Sequence, residues 1–181
     1  YWEIGDVNGV KVSGQIGSGT DGSTEMSIAS ASKWVYSTYV VQKHNGVSST
    51  DIPYLNFTSG YSVFNPTTCN PTDTVASCDA TVQYDNQTLN QFDYSGGHMQ
   101  RHADLSMGLG ALNGTQFADE LRSQLGSELT FTFTSPQPAG GGAAVVAARR
   151  CTGCANDPHL PPRPSRARPH VPGACRHRAP T

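Results

Sequence analysis

No apolar run in the chain approaches the roughly 18 to 20 residues needed to cross a bilayer, because Thr, Lys or Gly interrupts each one. A transmembrane helix is therefore not expected. With 36% hydrophobic and 14% charged residues, 181 residues suit one soluble domain with a sizeable core. A chain that opens on Tyr1 reads as a mature form or a fragment, from which any signal peptide would already be gone.

The last stretch lacks more. Residues 139–181 hold no aromatic residue and no lysine, but seven Arg, seven of the twelve Pro and three of the five Cys. Their one acid is Asp157, whereas residues 1–138 set five Lys and Arg against thirteen Asp and Glu. Such a segment cannot bury enough apolar surface to offset the entropy of ordering it, so 142–181 is expected to be a disordered Arg/Pro-rich tail behind a domain spanning 1–141. Its mixture of Arg, Pro, Ala, Gly, His and Cys is what GC-rich codons give out of frame, and a truncated or frame-shifted domain is the expectation. Two other readings are a basic tail for polyanions and a zinc site using Cys151 and Cys154 with His159, His170, Cys175 or His177. The spacing after Cys151-Thr-Gly-Cys154 fits no common zinc pattern. The acidic remainder would repel nucleic acid, which is not expected as a partner.

What is present begins with glycine. Residues 1–28 carry Gly5, Gly9, Gly14, Gly17, Gly19 and Gly22 between β-prone pieces such as Val10-Lys-Val12 and Met26-Ser-Ile28, which predicts strands and tight turns. From Ala31 to about Lys43 the pattern turns helical and apolar on nearly all sides, predicting a core helix stopped by Asn45-Gly46. Residues 47–98 are loop-rich, and within them Cys69 and Cys78 bracket a polar loop that a disulfide could close. A disulfide there would point to export. Phe117, Leu121 and Leu125 recur at i, i+4 and i+8 between Asn113 and Gly126, predicting an amphipathic helix, and Leu129–Thr134 alternates as a strand. Three NxT sites, at Asn56, Asn86 and Asn113, are frequent enough by chance in a Thr- and Asn-rich chain.

Ser30 and Lys33 stand three apart, which places them on one face of a helix beginning near Ser30. The positive end of a helix favours an alkoxide, and dipole and desolvation together disfavour the charged form of an amine placed there. A hydroxyl beside such a base has what an activated serine nucleophile needs.

The strings SIASASKWVY, LNFTSGYSVF, FDYSGGHMQ and SPQPAGG together resemble successive landmarks of the serine β-lactamase and penicillin-binding protein superfamily, closest to its class C and esterase-like branch, over about residues 20 to 141. The resemblance implies an α+β fold, an antiparallel sheet with a helical cluster, here incomplete because the C-terminal strands are missing. It makes Ser30 the acylated nucleophile, Lys33 its assistant and Tyr94 a proton shuttle at the place of the family's Y-x-N motif. Gly96 stands where that motif carries Asn, and His98, two residues on, is the candidate substrate-binding group in its stead. Neither K-[ST]-G nor H-x-G follows Tyr94. The resemblance implies a secreted or periplasmic serine hydrolase acting on an ester or amide (a β-lactam, a D-alanyl peptide or a simple ester), with no metal or organic cofactor. A non-catalytic homologue that binds peptidoglycan or another ligand is the alternative.

Overall fold

A computed structural model describes residues 1–6, 9–19, 21, 24, 26–126, 129–133, 135–138 and 145–148. The chain is mixed α/β and divides into separate bodies, one beginning with Tyr1–Thr24 and the other Glu25–Ala147.

The first body holds a hairpin. Strand β1 (Trp2–Asp6) pairs antiparallel with β2 (Gly9–Gly14), Trp2 opposite Gly14, with a bulge between Ile4 and Gly5. Gly14 gives the Trp2 ring its room: a Cβ would sit 2.6 Å from the ring, which would have to move.

The second body is built on helix α1 (Ser32–His44). Asn45, at φ 56° and ψ 36°, ends it in the left-handed conformation that Asn tolerates better than most residues. The helix is not apolar on all sides in its setting. Lys33, Tyr36, Tyr39 and Val40 form the buried face, and Trp34 is 82% exposed. The i, i+3, i+7 spacing of that face was masked in the sequence by the aromatics and valines on its back.

Against α1 packs α5 (Gly114–Leu125), opened by a reciprocal cap in which Asn113 Oδ1 accepts from the Gln116 amide and Gln116 answers at the Asn113 amide. Asn113 is thus a helix cap in this fold. Phe117, Ala118 and Leu121 enter the core with Tyr36, Tyr39 and Val40. At the edge, Tyr39 donates to Glu120 Oε1 at 2.7 Å and Lys43 pairs with the same carboxylate. Short helices α2 (Ile52–Leu55), α3 (Val75–Asp79) and α4 (Gly97–Arg101) complete the cluster, and α4 runs on into a π-helical segment, His102–Ser106.

A three-stranded sheet has the order β3 (Met26–Ser27), β5 (Val145–Ala148), β4 (Leu129–Thr132). Strand β5 lies inside the stretch expected to be disordered. Met26 pairs with Val146 and Ser27 with Val145, because a β-branched run followed by Ala can complete a ladder despite its low-complexity flanks. The other tail residues, with the proposed zinc ligands Cys151, Cys154, His159, His170, Cys175 and His177, lie outside the described residues. Among the described residues no helix is long and apolar enough to cross a membrane.

Candidate active site

The chain leaves β3 through Ile28, reverses at Ala29 and enters α1 by a single 3-10 turn, Ala29–Ala31. Ala29 has φ 41°, a left-handed conformation that an alanine adopts at a cost of about 1 kcal/mol or more. That reversal sets Ser30 on the first turn, before the α-helix proper begins at Ser32. The 3-10 turn and the helix are continuous, so Ser30 and Lys33 still share a face. Lys33 Nζ donates to Ser30 Oγ at 3.2 Å.

Tyr94 reaches the same point from a distant loop. Lys33 Nζ lies 4.8 Å from the centre of its ring. The phenol is held below its ordinary value, first by a hydrogen bond with Ser30 and, after the opposing effect of burial, by the Lys33 hydrogen bond and charge. Tyr94 is 58% exposed, so this electrostatic help acts at the mouth of the site. Three groups expected to act together are therefore in mutual contact.

They line an open cleft of about 320 Å³ whose other walls include Trp34, Leu55, Phe57 and Met99. Phe57, at φ 63°, stacks at a tilt on Tyr94, with 5.2 Å between ring centres. Lys33 is the one formally charged side chain among the described lining residues. Apart from that amine the walls offer mainly apolar contact.

No family model, curated protein or solved structure matches the chain. The functional reading therefore rests on the geometry.

His98 is placed differently from a substrate-binding group. It is fully buried, with Nδ1 2.7 Å from Ser59 Oγ and Nε2 2.9 Å from the Asp93 carbonyl oxygen. Both ring nitrogens are occupied, so neither is offered to the cleft. Gly96 lies at the N-terminus of α4, and its neighbour Gly97 is sterically required: a Cβ there would meet the Tyr61 carbonyl oxygen at 2.5 Å.

Cys69 and Cys78 are free thiols rather than a disulfide, and each is the other's hydrogen-bond neighbour. Burial pushes both thiols up. The loop has brought the sulfurs together, and bridging them takes an oxidant, not a change of fold. Among the described residues no group of three or more His, Cys, Asp or Glu is arranged to hold a metal.

Sequence reading missed one cluster altogether. Asp51, His102 and Tyr36 form a buried chain: His102 Nε2 donates to Asp51 Oδ1 at 3.0 Å, and Tyr36 donates to His102 Nδ1 at 2.8 Å. Its second carboxylate oxygen accepts from the Ser48 amide and lies 3.1 Å from His44 Nδ1. The cluster ties α1 to the π-helical segment one turn beyond Lys33. Its members are spread over the chain from Tyr36 to His102, and no local pattern announces it.

Proposed function

We propose that residues 25–147 form the nucleophile-bearing part of a serine hydrolase of the β-lactamase-related type, with the β-lactamase/DD-peptidase fold left incomplete at its C-terminal strands. The observation that carries this reading is the meeting of Ser30 Oγ, Lys33 Nζ and the Tyr94 phenol at one end of an apolar cleft. In the forward step the phenolate form of Tyr94, the form that the Ser30 and Lys33 contacts favour, takes the Ser30 proton. Ser30 Oγ then attacks the carbonyl carbon of an ester or amide, while Lys33 donates to the developing charge around Oγ. Tyr94 returns the proton to the leaving alcohol or amine. Water, deprotonated by the same phenolate, attacks the acyl-enzyme carbonyl; the bond to Ser30 Oγ breaks, Tyr94 passes the proton to Oγ, and the acid is released. The strain at Ala29 suits a residue that aims a nucleophile.

Trp34, Leu55, Phe57 and Met99 in the cleft wall favour an apolar acyl group. Turnover is slow in this chain. Ser30's own amide can serve a developing oxyanion, but the second donor belongs to the absent K-[ST]-G strand, and one missing donor costs about 100- to 1000-fold. A fluorophosphonate probe tests the reading: it labels the folded chain at Ser30 and not the Ser30→Ala variant. Equal labelling of both overturns it.

Gly96 favours a second reading, a ligand-binding homologue without turnover, since it supplies no amide to hold substrate. Saturable, reversible binding of a peptidoglycan fragment without acylation of Ser30 would select it.

A further inference from the structure

We propose that His98 is a positioning residue for Tyr94, acting with Ser59 through the main chain of Asp93. This rests on the reading of Tyr94 as part of the Ser30 site.

Three neighbours, Ser30, Lys33 and Phe57, hold the Tyr94 side chain directly. More than half exposed, it keeps its aim towards Ser30 only if the backbone carrying it is fixed. That backbone is fixed at Asp93 on both sides. The Asp93 amide donates to the Phe57 carbonyl oxygen at 3.0 Å, and its own carbonyl, part of the peptide leading into Tyr94, accepts from His98 Nε2 at 2.9 Å. A carbonyl can only accept, so Nε2 carries the proton of the neutral ring and Nδ1 is the acceptor. Ser59 Oγ, 2.7 Å away and 6% exposed, must then be the donor that fixes this tautomer. Neighbouring links hold the same two segments together: Asn90 donates from its amide to the Thr58 carbonyl, and the Phe57 ring touches both Tyr94 and His98.

A ring needed only to fill volume at a fully buried position would be better apolar, because burying imidazole costs free energy unless its nitrogens are bonded. Here both bonds are spent on the direction of one peptide plane. Burial holds His98 below its ordinary value, which keeps the ring neutral and the arrangement single-valued.

The experiment compares His98→Phe, which fills the space without either hydrogen bond, with His98→Gln, whose amide nitrogen can still donate to the Asp93 carbonyl. One readout is the Tyr94 titration, followed by carbon NMR of ring-labelled tyrosine and assigned with Tyr94→Phe. The other is the rate of Ser30 labelling by the fluorophosphonate. In the unsubstituted chain Tyr94 titrates below the ordinary tyrosine value of about 10. In His98→Phe it returns towards that value and labelling slows about 10- to 100-fold, and His98→Gln recovers most of both. Unchanged behaviour in His98→Phe, equal losses in the two variants, or an ordinary Tyr94 value in the parent chain overturns the proposal. If His98→Phe does not fold, Ser59→Ala carries the test, since it frees the ring to change tautomer. A Tyr94 titration raised by Ser59→Ala supports the proposal, and one left where it was overturns it. A Tyr94 titration that responds to these variants in a chain that never labels at Ser30 upholds the positioning role and removes the hydrolase reading.

Discussion

His102 Nδ1 stands 2.8 Å from the Tyr36 hydroxyl while its Nε2 stands 3.0 Å from Asp51 Oδ1, all three side chains almost fully buried. Asp51 can only accept, so Nε2 carries a proton, and in the neutral ring Nδ1 accepts from Tyr36. Protonation would turn Nδ1 into a donor and the Tyr36 hydroxyl into its acceptor. Burial also holds His102 below its ordinary value, with the Asp51 carboxylate opposing and His44 adding to the depression. A lowered histidine value contributes stability that is present above about pH 6.5 and is lost as pH falls through the folded value. Asp51 is held well below the usual carboxylate range by hydrogen bonds from Ser48, His44 and His102, which outweigh its burial, and it adds a loss of the same sign at lower pH. The melting temperature carries a His102 contribution that is flat from pH 8 to 7 and falls below about pH 6.5, opposed by the rise that Asp79 brings over the same range. His102→Phe lowers the melting temperature at neutral pH by the equivalent of about 1 to 3 kcal/mol and leaves only the Asp79 rise between pH 6.5 and 5. The pH series of thermal melts checks both.

Asp79 behaves in the opposite sense. Burial first, then the neighbouring Asp104 carboxyl, raise it to about 6, while Arg101, 2.8 Å away, pulls it down. A raised carboxyl contributes stability that is full below about pH 4 and declines as pH rises through 6. Asp79 Oδ1 has no hydrogen-bond donor among the described residues. Asp104→Asn supplies one and removes a like charge. It stabilises the protein by about 1 kcal/mol at pH 8 and by nothing at pH 4, as denaturant midpoints at the two pH values would show.

The thiols of Cys69 and Cys78 already touch. Treatment with oxidised glutathione joins them, each bridge releasing two thiol protons and reducing one glutathione disulfide. Closing so short a loop stabilises the fold by about 2 to 3 kcal/mol. Mass spectrometry after alkylation, with melts before and after reduction, checks this. Neither step needs movement of Ser30.

Tyr94→Phe keeps the ring against Phe57 and loses only the hydroxyl. The labelling rate at Ser30 falls about 100-fold and the melting temperature stays within a degree or two, roughly the scatter of a surface substitution. Kinetics of probe labelling beside a melt separate the two effects.

The parts of this chain that were legible in its sequence are those that local physics decides. Asn45-Gly46 after a helical run, and Phe117 with Leu121 and Leu125, each announce an element within a few residues. The Ser30–Lys33 spacing announces a shared face for the same reason. Tyr94 entered through the resemblance, and its place beside Lys33 is a matter of tertiary structure. What local pattern could not give was which side of α1 faces inward, since Trp34 and Val41 look as apolar as Tyr36 and Val40 yet stay exposed. Nor could it give the employment of His98 and His102, whose partners are Ser59 and Tyr36. Composition alone misjudged Val145–Ala148, because four residues suffice for a ladder that a forty-residue average conceals.

That ladder bears on the nucleophile. Met26–Ser27 is only two residues long, runs directly into the Ala29 reversal, and has Val145–Val146 as its hydrogen-bonded neighbour. The entry to Ser30 is thus anchored by the last strand of the described chain. A protease that nicks the chain ahead of Val145 would leave every side chain of the cleft in place and still untie the rope on which the serine hangs.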